Sequence, residues 1–218
     1  MNIEGVEINW LGHAGFLIKN SRITYIDPYN IKENSPKADL ILITHSHYDH
    51  CSVADIEKII QDGTRIVMTA DCQSKITKFK SPIKMEIIGP GQEIVLGEIK
   101  ISALPAYNID KPFHAKEEEW VGYLIKMNDL LIYHAGDSDK IPEMQKLTGH
   151  HEKLIALLPI GGRFTMSVEE AVEAARLIKP YLVIPMHYGS IVGTDDDARE
   201  FKQLCDEEKI NCEVLKKL

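Results

Sequence analysis

The run Ala38-Asp39-Leu40-Ile41-Leu42-Ile43 passes directly into Thr44-His45-Ser46-His47-Tyr48-Asp49-His50, and this junction sets the strongest limit on the fold. A short apolar run without polar alternation is the pattern of a strand buried on both faces. The histidine cluster then sits at a strand's carboxyl end, where open α/β sheets place their ligands. His45 and His47 are two apart, so on an extended chain both imidazoles project to the same side, which suits one metal ion. Asp49 and His50 follow on a turn that can bring a carboxylate and a third imidazole to an adjacent point, which suits a second. Imidazole and carboxylate together favour zinc, manganese or iron over calcium or magnesium.

Composition narrows the class further. A chain of 218 residues, 44% hydrophobic and 27% charged, can bury a substantial core and is not of a disordered type. A net charge of -8 opposes electrostatic binding of nucleic acid, which needs clustered Lys and Arg. No stretch has the apolar length of a membrane span, and Met1-Asn2-Ile3-Glu4 lacks a leader's basic start and apolar core, so a cytoplasmic location is expected. Cys51, Cys72, Cys205 and Cys212 show no C-x-x-C spacing and read as buried or reduced thiols.

Read in order, residues 6–10, 15–19 and 22–26 are strands. They are close together with no helix between them, which implies antiparallel pairing. Gly12-His13-Ala14-Gly15 is a turn, and Asp27-Pro28 stops the third strand at a point where Asp27 could support the histidine loop. Ser52 caps a helix whose apolar face is Val53, Ile56, Ile59 and Ile60 and whose expected stop is Gly63. A strand at 65–69, a short helix near 73–79 and a β-rich stretch to Ala106 follow. A hairpin turning at Asn128-Asp129 leads into His134-Ala135-Gly136-Asp137. A short helix is expected from Pro142 to Gly149. Ser167 and Glu170 form a capping box for a helix ended by Pro180, and Asp195, Asp196 and Asp197 read as a helix start rather than a metal site. A pattern recurs: an apolar strand, then His or Asp at its end, at His45, Asp137 and His187. Such ends can assemble a site from rigid elements.

These segments, together with Gly12-His13-Ala14-Gly15-Phe16, Leu158-Pro159-Ile160-Gly161-Gly162-Arg163 and Ile184-Pro185-Met186-His187-Tyr188, resemble the metallo-β-lactamase fold of metal-dependent hydrolases. Within it the chain resembles the branch containing ascorbate-6-phosphate lactonase. The resemblance implies one domain over 1–218, an α/β (α+β) fold with a four-layer αββα sandwich of two mixed sheets flanked by helices. It also implies two divalent ions, zinc foremost with manganese or iron as alternatives. His45 and His47 would hold the first and Asp49, His50 and His187 the second, with Asp137 bridging. The ions would lower the pKa of a shared water for attack on a carbonyl or phosphoryl centre. Asp49 would orient that water or return a proton.

The family usually places a further histidine near Ala106-Tyr107-Asn108, and this chain has none there. His114 is the candidate to complete the first site; Asn108 and His13 are alternatives. His134 reads as a supporting residue, and His150 and His151 as partners of a helix dipole. His13 and Arg163 are candidates for substrate contact. The expected substrate is a small anionic ester, lactone or phosphodiester. A nuclease of the same fold, or a non-catalytic metal- or ligand-binding protein with an incomplete first site, is the alternative. No nucleic-acid or membrane partner is expected, and homo-oligomerisation stays open.

Overall fold

The computed structural model describes residues 1–76 and 79–218. The chain divides into two compact units, residues 1–88 with 216–218 and residues 89–215.

The first unit is built on one sheet of seven strands in chain order: β1 (Asn2–Ile3), β2 (Val6–Gly12), β3 (Gly15–Lys19), β4 (Ile23–Ile26), β5 (Leu40–Ile43), β6 (Arg65–Met68) and β7 (Lys84–Ile87). The first four pair antiparallel, and β4 to β7 pair parallel. All four residues of β5 are buried, as its unbroken apolar run requires. Helix α1 (Val53–Ile59) starts where Ser52 accepts from the Asp55 amide, and it turns Ile56 and Ile59 onto Ile41, Ile43, Ile66 and Met68.

The helix stops short of the expected Gly63. Ile60 is already extended and buried, and the Thr64 hydroxyl takes over the turn by accepting from Gln61 N and donating to Ala38 O. Gly63, at φ 84°, serves that turn instead. Helix α2 (Gln73–Ile76) is where a short helix was expected. Residues 77 and 78, part of that expectation, lie outside the described residues.

The second unit holds six strands: β8 (Glu93–Leu96), β9 (Ile99–Pro105), β10 (Val121–Met127), β11 (Leu130–His134), β12 (Lys153–Pro159) and β13 (Leu182–Met186). They again run antiparallel from β8 to β11 and parallel from β11 to β13. Asn128, at φ 55°, turns the β10–β11 hairpin. Pro185 sits in β13, the edge strand of this sheet, where a missing N–H does least harm.

The expected capping box of Ser167 with Glu170 starts α3 (Val168–Ile178), and α4 (Asp195–Glu207) starts at the three expected acids, capped by Thr194 with Asp197, a box that the sequence reading did not name. The segment expected as a helix from Pro142 is a 3₁₀ turn over Pro142–Leu147. Met144 and Leu147 are buried three residues apart, the repeat of that tighter helix. All four cysteines are buried free thiols. The chain thus has two mixed sheets with helices on them. Among the described residues no helix is long and apolar enough to cross a membrane.

Candidate metal centre

In the first unit the histidine loop is built on Asp27, a buried carboxylate at the end of β4. Thr44 donates to it twice, from N at 2.9 Å and from Oγ1 at 2.6 Å, and His50 Nδ1 lies 2.8 Å away. A carboxylate can only accept here, so His50 carries its proton on Nδ1 and its lone pair on Nε2. The Thr44 hydroxyl spends its proton on Asp27 and is therefore left to accept from His45 Nδ1 at 2.9 Å. His45 is thereby the same tautomer as His50, with Nε2 free of a proton and 3.1 Å from His47 Nδ1.

The loop itself is fixed at its tip. Asp71 accepts from Ser46 N, and Lys75 Nζ donates to Ser46 O. His47 O accepts from the amides of His50 and Cys51, closing the turn that presents Asp49. His13 lies 2.8 Å from Asp49 Oδ2 through Nε2, buried and held in the left-handed region at φ 52°. Trp10 Nε1 anchors its backbone by donating to His13 O. The ligand-capable atoms of His13, Asp49 and His50 lie within 4.8 Å of one another.

In the second unit β11 ends at His134, whose Nδ1 accepts from Gly136 N at 3.1 Å. That bond bends the chain, with Gly136 at φ 64°, and delivers the buried Asp137. Its Oδ2 is approached by His114 Nε2 at 3.3 Å and by His187 Nε2 at 3.1 Å. His187 follows β13 at φ 60° and is buried. Nδ1 of His114 faces two acceptors, Asn108 Oδ1 at 2.9 Å and Phe164 O at 3.1 Å, so Nδ1 is a donor, and in the neutral ring Nε2 is the lone-pair nitrogen facing a carboxylate oxygen. Two acceptors directed at each other in a buried place is a donor set that fits a cation between them.

Asn108 is engaged elsewhere. Its amide nitrogen donates to Asp139 Oδ1 and Phe164 O, and its oxygen accepts from His114. Arg163 is exposed and stacks on the Phe164 ring at 5.1 Å, and His150 and His151 are exposed ahead of β12. Asp139 is the residue that reading the sequence overlooked; its signal is the second acid of Asp137-Ser138-Asp139, two residues past the singled-out Asp137.

Comparison with known proteins gives the family. Residues 7–187 match the model of the beta-lactamase superfamily domain. The chain is 35% identical to a UPF0173 metal-dependent hydrolase of Thermococcus kodakarensis, over 91% of this chain and 92% of that one. It is also 35% identical to one of Pyrococcus furiosus, over 97% and 96%. Among solved structures it is similar to a protein of Parabacteroides distasonis, with a TM-score of 0.84, 28% identity and coverage of 98% and 93%. The metallo hydrolase Igni18 of Ignicoccus hospitalis gives a TM-score of 0.77 at 25% identity, covering 97% and 95%. The narrower likeness to the ascorbate-6-phosphate lactonase branch rests on the sequence motifs alone. With its sheets, its histidine loop and these matches taken together, the chain belongs to the beta-lactamase superfamily, in the family of UPF0173 metal-dependent hydrolases.

Proposed function

We propose that this chain is a hydrolase using two divalent metal ions, zinc foremost with manganese or iron as alternatives, to cleave a small anionic ester, lactone or phosphodiester. The observation that supports this reading is that His45, His50 and His114 each have Nδ1 against an oxygen, which in the neutral ring leaves the lone pair on Nε2. Metal-ligating histidines are held in this way. In the ligand set suggested by the family motif, His45, His47 and His114 hold one ion, Asp49, His50 and His187 the other, and Asp137 bridges. When bound, the ions supply Lewis acidity and make a water acidic enough to react near neutral pH.

The remaining steps belong to the chain's own residues. Asp49, with His13 against one carboxylate oxygen, orients the attacking water and passes a proton to the leaving group. Asp27 and Thr44 keep the rings of His45 and His50 from rotating. Arg163, on an exposed loop, offers a guanidinium fork to the anionic part of the substrate.

The test is metal analysis alongside turnover of p-nitrophenyl esters and bis-p-nitrophenyl phosphate. Asp137→Ala and His187→Ala are expected to lose bound metal and activity while keeping the far-UV CD of the parent. His114→Ala is expected to lose one ion, as His45→Ala does. Full metal content and turnover in folded Asp137→Ala or His187→Ala would overturn the reading.

A further inference from the structure

The loop that carries His114 has a hydrogen-bond network in which each bond can run in only one direction. Asn108 N donates to His114 O at 2.7 Å, and His114 N donates back to Asn108 Oδ1 at 3.0 Å, so the two residues close a loop on each other. The Asn108 amide has one workable orientation. Turned over, it would aim its NH2 at the His114 amide N–H and its oxygen at the Asp139 carboxylate and the Phe164 carbonyl, losing these three bonds.

Asp139 fixes that orientation. It is buried and accepts from Ile109 N at 2.8 Å, Asn108 Nδ2 at 3.1 Å and Lys111 Nζ at 2.5 Å. Burial pulls the Lys111 ammonium down, but its hydrogen bond and charge interaction with Asp139, helped by Glu170, more than offset this, and the lysine stays charged. A chain of contacts thus runs from Lys111 through Asp139 and Asn108 to the His114 ring, whose far nitrogen faces Asp137 at 3.3 Å.

We propose that Asn108, locked by the Lys111–Asp139 ion pair, is a positioning residue that holds His114 as the Nδ1–H tautomer and aims its Nε2 lone pair at Asp137. The inference rests on reading His114 as a metal ligand. It also accounts for the amide at the place where the family puts a histidine. The amide in that neighbourhood supports an imidazole six residues further along. A ring on a loop excursion has no strand to hold its angle, so the Asn108 amide, beside the Phe164 carbonyl, fixes it. Without the amide, the Asp137 carboxylate is the strongest acceptor left near the ring. It would draw the proton to Nε2 and block the atom that binds the ion.

The test uses the whole metal-free chain, 15N-labelled, with two-bond proton–nitrogen correlation spectra of the His114 ring. The parent is expected to show a protonated Nδ1 and a bare Nε2. Asn108→Ala is expected to shift the ring toward the Nε2–H form and to weaken zinc binding, measured by chelator competition, about 10- to 100-fold. Asp139→Asn removes the lock but leaves the amide, so the same two readouts should move in the same direction by less. It decides the question if Asn108→Ala does not fold. A merely loop-closing role for Asn108 would lower stability without changing the tautomer. A parent ring protonated on Nε2, or a folded variant with the parent's tautomer and zinc affinity, would overturn the proposal. His114→Ala separates the two levels: parent-like zinc affinity there removes the ligand reading, whereas the tautomer of the parent ring still reports on the clamp.

Discussion

Thr44 does two things with one hydroxyl. It donates to Asp27 at 2.6 Å and accepts from His45 Nδ1 at 2.9 Å, so one buried oxygen links the carboxylate under the loop to a proposed ligand above it. Thr44→Val keeps the shape and removes both bonds, leaving Asp27 short of a donor and His45 free to change tautomer. The expected cost is about 1–3 kcal/mol in urea unfolding, from a buried acceptor losing its partner. A fall of about 10- to 100-fold in zinc affinity should accompany it, as for other residues that support metal ligands. Unfolding and metal titration of the same sample check both, and parent-like zinc affinity would show that the hydroxyl does not govern the ring. Of this residue-level design, the sequence shows the ligand types and spacing of His45 to His50 because both are local. It shows Asp27 as a strand stop that could support the histidine loop, but Asn108 only as a poor substitute ligand, because the Asn108 amide is oriented by Asp139 and Phe164, 31 and 56 positions away.

Between elements, the strand ends carry the site and the approaches to them are tight. A Cβ on Gly161, just after β12, would lie 2.6 Å from His187 O and 2.7 Å from Val192 Cγ1. Backbone cannot yield as a flexible side chain does, so Gly161→Ala is expected to push the β13 end outward. An overpacked contact of this kind costs about 1–3 kcal/mol. Urea unfolding and zinc stoichiometry should both register it; a parent-like midpoint would mean that the loop after β12 gives way freely. The strands and helix starts of both units were legible from apolar runs, from the caps Ser52 and Ser167, which act on amides a few residues away, and from the acidic run at Asp195. Helix ends were less so. The stop of α1 at Ile59 depends on the Thr64 hydroxyl reaching Ala38 O, a contact across 26 positions that no local pattern announces.

For the whole molecule, the proposed ligands come from positions as far apart in sequence as His45 and His187, so only the folded chain brings them together. Ions bound to such a set bind the folded chain only, so metal and stability are linked. Free zinc at one hundred times its dissociation constant would add about 2.7 kcal/mol per site. Calorimetry on chelator-stripped protein should therefore give a lower Tm than on zinc-reloaded protein, with the gap widening as zinc is raised. An unchanged Tm would mean that the ions, if bound, hold nothing that unfolding releases.

Three of the residues around these histidines, His13, Asp27 and His187, have backbones in the left-handed region, at φ 52°, 43° and 60°. Each pays about 1–2 kcal/mol for a conformation that glycine would adopt without penalty. At Asp27 the cost is offset by the three hydrogen bonds that its carboxylate accepts. A library of this chain sorted without metal only for survival at high temperature should therefore keep Asp27 but drift at His187 toward glycine or asparagine, whereas one sorted for turnover should keep both. The rest of the backbone would evolve much the same way in both.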